Sequence, residues 1–132
     1  MIELIWDAAS VGTATTLVGA SITIGEAADF SPEDLVAAAA AGCVMRTFLR
    51  LADDARIPIL GYTAVSRIES PEPEAASKVR VRCSVVTSED VSEAEVRRLL
   101  REAVNASPIS HMLGGRVVCQ ADVRCLCGAC PG

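Results

Sequence analysis

The run Ser31-Pro32-Glu33-Asp34-Leu35-Val36-Ala37-Ala38-Ala39-Ala40-Ala41-Gly42-Cys43-Val44-Met45-Arg46 decides the architecture of this chain. Ser31 is a good helix N-cap and Pro32 suits the first helical position. Asp34, three residues after Ser31, makes a capping-box variant. A helix is predicted from there to about Ala55. Its first half is apolar all round, which predicts burial all round. Five consecutive alanines and Gly42 allow another backbone to approach closely. The second half is amphipathic, with Arg46, Arg50, Asp53 and Asp54 exposed or paired.

Upstream, residues 1–30 read as strands. Ile2, Leu4 and Trp6 alternate with Glu3, Ile5 and Asp7, and Thr13–Val18 and Ser21–Ile24 are rich in β-branched residues around Gly19-Ala20. A three-stranded antiparallel start is expected. Downstream, Leu60–Glu69 and Lys78–Thr87 read as a hairpin around Ser70-Pro71-Glu72-Pro73-Glu74. Val79, Val81, Cys83 and Val85 share one face, opposite Arg80, Arg82 and Ser84. A second capping box, Ser92-Glu93-Ala94-Glu95, opens a helix to about Asn105. Val96, Leu99, Leu100, Ala103 and Val104 keep the helical period. Ser107–Leu113 read as a helical turn, ended by Gly114-Gly115. Arg116–Arg124 is a last strand, with Val117, Cys119, Ala121 and Val123 on one face. One domain over residues 1–124 and a Cys-rich tail over 125–132 follow, with no internal repeat.

Composition narrows the function classes. The 132 residues are 51% hydrophobic and 22% charged, which excludes disorder and collagen-like repeats. A net charge of −5 and four aromatics leave no basic stripe for nucleic acid. The longest uninterrupted apolar run, Leu35–Met45, is about half of the ~20 residues a membrane span needs, so no span is expected. No Lys or Arg precedes Arg46, so no secretory signal is expected and a cytoplasmic location follows. Thiols stay reduced there. The six cysteines then point to redox chemistry, metal binding or core packing rather than a disulfide framework.

The order of strands, long Cys-bearing helix, hairpin, helix and strand resembles the OsmC/Ohr family of thiol-dependent hydroperoxide reductases. Ser31-Pro32-Glu33-Asp34-Leu35, the alanines and Ala41-Gly42-Cys43 carry the likeness. A second match is Ser107-Pro108-Ile109-Ser110-His111-Met112-Leu113, where the family typically has Cys-Pro-x-Ser. The resemblance covers residues 1–124 and is strongest at 31–49. It implies an α+β fold, with antiparallel strands at both ends around a long buried central helix. It also implies an intertwined homodimer with thiol sites at the subunit interface. Cys43 is then the reactive thiol, and Glu33 belongs to the same site. The chain is a divergent member. The family's second thiol falls on Ser107, and the Arg that peroxidatic members bring from their N-terminal strands has no counterpart.

The residues admit more than one chemistry. Burial alone would raise the pKa of Cys43 and make it inert, so an active thiol needs a cation. Arg46 and Arg50 follow at i+3 and i+7, and Arg46 leans back toward Cys43. The alternative is a core Cys with Arg46 paired at the surface. Ten residues of helix rise about 15 Å, so Glu33 reaches a Cys43 site only across a dimer. Otherwise it is an acid favoured by the helix macrodipole. Cys125-x-Cys127-x-x-Cys130 has three readings: a Zn site completed by Cys119 or Cys43, a mobile resolving segment, or a metal- or thiol-delivery tail. A free end without function is the fourth. Cys83 and Cys119 read as core. His111 is the only His, four after Ser107; without a nucleophile elbow it supports no Ser-His-Asp triad. No glycine spacing fits a phosphate loop or dinucleotide site.

Two function classes result. In the first, a peroxidase of stress defence, Cys43 attacks the outer oxygen of a small apolar organic hydroperoxide. Arg46 lowers its pKa, a tail Cys or an external thiol reductant resolves it, and no cofactor is required. In the second, a non-catalytic dimer of the same fold binds metal or a thiol partner through its tail.

Overall fold

Alternating residues build an antiparallel meander at the N-terminus of the chain. In the structure, a computed structural model that describes residues 1–70 and 77–126, it comprises β1 (Ile2–Ala8), β2 (Val11–Thr16) and β3 (Ser21–Gly25). The sheet order is β1-β2-β3, with Leu4 opposite Ala14 and Ala14 opposite Ile22. Gly25 has φ +139°, and a Cβ there would drive into the Ser10 carbonyl, so only glycine fits.

Helix α1 (Pro32–Asp54) starts where the capping box places it. The Asp34 backbone N–H donates to Ser31 Oγ at 3.0 Å, and the Ser31 N–H donates to Asp34 Oδ2 at 3.1 Å. The expected all-round burial of its first half is corrected. Ala37, Ala40, Cys43 and Val44 are buried, but Val36, Ala38, Ala39 and Met45 are exposed. A 23-residue helix laid on one sheet buries one stripe at the helical period, and small side chains off that stripe, such as Ala38 and Ala39, stay exposed. By length and composition α1 also meets the requirement for a membrane span, although its stripe serves a protein core.

The chain divides into two compact units, Met1–Val36 and Ala37–Gly132. The first holds the β1-β2-β3 sheet, in which Ala14 is the one buried apolar side chain among the described residues. The second holds a mixed sheet of order β4-β5-β6. In it β4 (Ile59–Glu69) and β5 (Lys78–Ser88) are antiparallel, and β6 (Val117–Leu126) runs parallel to β5. A parallel partner needs a crossover. It is supplied by α2 (Glu93–Ala106) and the single turn α3 (Pro108–Met112). Residues 71–74 of the expected hairpin turn lie outside the described residues. The last strand runs two residues beyond Arg124, so Cys125 and Leu126 belong to β6.

Two apolar clusters hold the second unit together. Phe48 and Ala52 pack with Cys83, Val85, Val96 and Leu99. Ala40 and Val44 pack with Val79, Val81 and Val117. Each large side chain buried this way contributes about 1.5–3 kcal/mol. The two clusters also fix the direction of α1. Its Cys43 region lies at the Val79–Val117 end of the sheet, and its C-terminal half lies toward Val85.

Candidate active site

Cys43 lies on the buried stripe of α1, 5% exposed. Its surroundings come from two places in the chain. One helical turn on, Arg46 sends its guanidinium back along the helix, and Nη2 donates to Cys43 Sγ at 3.9 Å. This is the direction in which helical side chains lean. The Arg46 side chain is otherwise exposed, and it forms no salt bridge among the described residues.

The other surroundings come from the α2–α3 corner. Ser107 ends α2 and caps α3, and it is completely buried. Its hydroxyl makes no hydrogen bond among the described residues, and it lowers the Cys43 pKa. Pro108 opens α3, so the Ile109 N–H lies in its first turn, where a helix offers no acceptor, and it lowers the Cys43 pKa.

The sum of these effects sets the state of the thiol. Burial pushes the Cys43 pKa up, as the largest single influence. The Ser107 hydroxyl, the Ile109 N–H and the Arg46 guanidinium together outweigh it, and the thiol lies below its ordinary value. Hydrogen bonds to the charged form favour that form. A buried hydroxyl without a partner gains one when Cys43 ionises, so its desolvation cost is relieved in the thiolate state.

The structure brings Cys43, Arg46 and Ser107 together and leaves the other candidates apart. Glu33 is exposed in the first turn of α1, within the first unit, and forms no salt bridge among the described residues. Cys125 sits on β6, eight residues beyond Val117, or about 26 Å of extended strand. Its sulfur accepts from Thr87 Oγ1 at 3.5 Å and donates to the Val91 carbonyl at 3.4 Å. Cys127 and Cys130 lie outside the described residues. Among the described residues no group of three or more His, Cys, Asp or Glu is gathered to hold a metal. His111 is exposed at the end of α3. The contribution of the Ile109 backbone was missed in the sequence reading. The Ser107-Pro108 pair was its available signal, because it marks a helix start, where the first N–H groups have no intrahelical acceptor.

A strand–helix–sheet frame with a buried, cation-flanked thiol defines a class of α+β thiol proteins. A family model described as OsmC-like protein matches residues 25–122, and the chain belongs to that family. The chain is similar in fold to an OsmC-like protein from Mycoplasma pneumoniae, with TM-score 0.80 and 16% identity over 94% of this chain and 96% of that one. It is similar to an OsmC-like protein of unknown function from Vibrio cholerae, with TM-score 0.78 and 20% identity over 92% and 97% of the two chains. The organic hydroperoxide resistance protein OhrB of Bacillus subtilis matches with TM-score 0.65 and 19% identity over 94% and 98%. At such identities the likeness is one of fold. No curated protein sequence matches the chain.

Proposed function

We propose that the chain is a one-thiol organic hydroperoxide reductase with Cys43 as its nucleophile. The observation that carries this reading is the Arg46 guanidinium on a buried sulfur whose pKa lies below its ordinary value, with Ser107 and Ile109 contributing to that lowering. A structural core cysteine needs none of these donors. The Cys43 thiolate attacks the outer oxygen of ROOH. The O–O bond breaks, the alkoxide takes a proton from water and leaves as ROH, and Cys43 becomes a sulfenic acid. Ser107 cannot capture it, and Cys125 is held at the far end of β6. In the proposed cycle an external thiol condenses with the sulfenic acid, releasing water. A second thiol then frees Cys43 and leaves as the disulfide.

Arg46 has two roles in this reading, lowering the thiol pKa and binding the developing oxyanion. The alanine-lined face of α1 favours an apolar substrate, such as an alkyl hydroperoxide, over hydrogen peroxide. The chain acts as a homodimer in peroxide defence, in a reducing compartment such as the cytoplasm. Tail cysteines that bind metal or a thiol partner would belong to the alternative, non-catalytic reading.

The test is sulfenic-acid trapping with dimedone on the fully reduced chain, with one equivalent of cumene hydroperoxide and peptide mapping. An adduct confined to Cys43, formed more slowly with hydrogen peroxide, is expected. A Cys43 that stays reduced while other thiols oxidise slowly would overturn the reading in favour of the non-catalytic one.

A further inference from the structure

Cys83 and Cys119 lie on neighbouring parallel strands. Cys83 is opposite Ala121 and Cys119 is opposite Val81, so they are diagonal neighbours on one face of the sheet. Their sulfurs are 3.6 Å apart. A disulfide needs about 2.05 Å between sulfurs and Cα atoms within about 7 Å, and diagonal neighbours stand at about 7–8 Å, so the bond closes when β5 and β6 draw together locally. The two thiols are not equivalent. Cys83 is completely buried, whereas Cys119 is partly exposed. One sulfur can be reached from outside, and the other stands directly behind it.

What reaches Cys119 is a groove of about 640 Å³ between α2 and β6. Arg82, Arg97 and Arg101 line it, against one carboxylate, Asp122. Arg82 and Arg101 form no salt bridge among the described residues. Arg97 is held in place, pairing with Glu93 and donating to the Ala121 carbonyl at 2.7 Å. Three arginines against one carboxylate in a single groove stand out on a chain of net charge −5. A groove of one sign concentrates ligands of the other.

We infer that Cys83 and Cys119 are a second redox site, a dithiol oxidised to a disulfide by small anionic disulfides that enter through the arginine-lined groove. Cys83 first gives its proton to water, and the proton of Cys119 then passes to the Cys83 sulfur across their contact, leaving Cys119 as the thiolate. Cys119 then attacks the disulfide RSSR, releasing one thiolate RS⁻ and forming a mixed disulfide. Cys83 gives up its proton to water as it attacks the Cys119 sulfur and expels the second RS⁻, and the two RS⁻ take up protons from water as RSH. Two protein thiols lose two electrons and one RSSR gains them. The hydrogen bond from the Cys119 S–H is the largest influence on Cys83 and lowers its pKa, so the first proton of the pair leaves from Cys83. The same sharing raises Cys119, so the pair holds one proton more loosely than an ordinary thiol does.

The site is independent of Cys43, and its test separates the two. The reduced chain is treated with 5,5′-dithiobis(2-nitrobenzoate), which is dianionic, or with cystamine, which is dicationic, and then peptide-mapped. The expected product is a Cys83–Cys119 crosslink with two equivalents of small thiol released per bond, in the parent chain and in Cys43→Ser alike. The combined Arg82→Gln and Arg101→Gln change, both on the surface, should slow the anionic reagent about tenfold and leave cystamine unslowed. Two results would overturn the inference: Cys83 and Cys119 recovered unlinked while Cys125 carries the reagent, or equal slowing of both reagents in the arginine variant.

Discussion

Ser107 is where the residue scale is most informative. Its buried hydroxyl lowers the Cys43 pKa. Ser107→Ala removes one donor from the thiolate, as does Arg46→Gln, and each should raise the pH midpoint of Cys43 alkylation, read by mapped iodoacetamide labelling. Ser107→Cys should restore a two-thiol site: hydroperoxide treatment should give a disulfide between positions 43 and 107, seen as loss of dimedone labelling. The thiol also links stability to pH. Its folded pKa lies below the ordinary value, so ionisation of Cys43 favours the folded state. This contribution is complete above the unfolded thiol pKa and is lost as pH falls through the folded one. The stability advantage over Cys43→Ser should therefore be larger at about pH 9.5 than at about pH 6, measured by urea unfolding. Cys43 and Arg46 were legible as a pair because i, i+3 spacing is local. The Cys83–Cys119 contact was not, because a register between strands separated by a crossover leaves no local pattern.

Secondary-structure elements were the most legible scale. Ser31 and Ser92 cap the helices they were expected to cap, and Glu95 N–H donates to Ser92 Oγ. Ser92→Ala should cost about 1 kcal/mol, visible as a lower urea midpoint with an unchanged slope. Phe48, completely buried with its ring centroid 5.9 Å from that of Tyr62, should cost about 3–5 kcal/mol as Phe48→Ala. The alternation of Val79, Val81, Cys83 and Val85 was readable because β5 has one buried and one open face. The direction of β6 was not, since Val117, Cys119, Ala121 and Val123 alternate equally well in a parallel or an antiparallel pair. The all-round burial expected for α1 failed for a related reason: alanine is compatible with a core and with an open face, and composition alone does not separate them.

At the scale of the whole molecule, the exposed apolar surface sets the expectation. Ile2, Leu4, Ile5 and Trp6 on β1, with Leu17 and Val18, are each more than half exposed. A three-stranded sheet with one buried apolar side chain cannot cover such a surface alone. A homodimer is the expected solution, and sedimentation should report twice the chain mass. Leu4→Lys combined with Trp6→Lys should shift the species toward the monomer.

The buried hydroxyl at position 107 has one more consequence. Where a second thiol sits beside the first, the oxidised sulfur is captured on site within the same catalytic cycle. Here it waits for a molecule from solution. During that wait a further hydroperoxide can carry Cys43 to the sulfinic acid, from which ordinary thiols do not recover it. The lifetime of the catalyst is thus set by the ratio of reductant to peroxide in its surroundings. Turnover should end in self-inactivation when peroxide outruns thiol, and a Cys at this position should postpone that end.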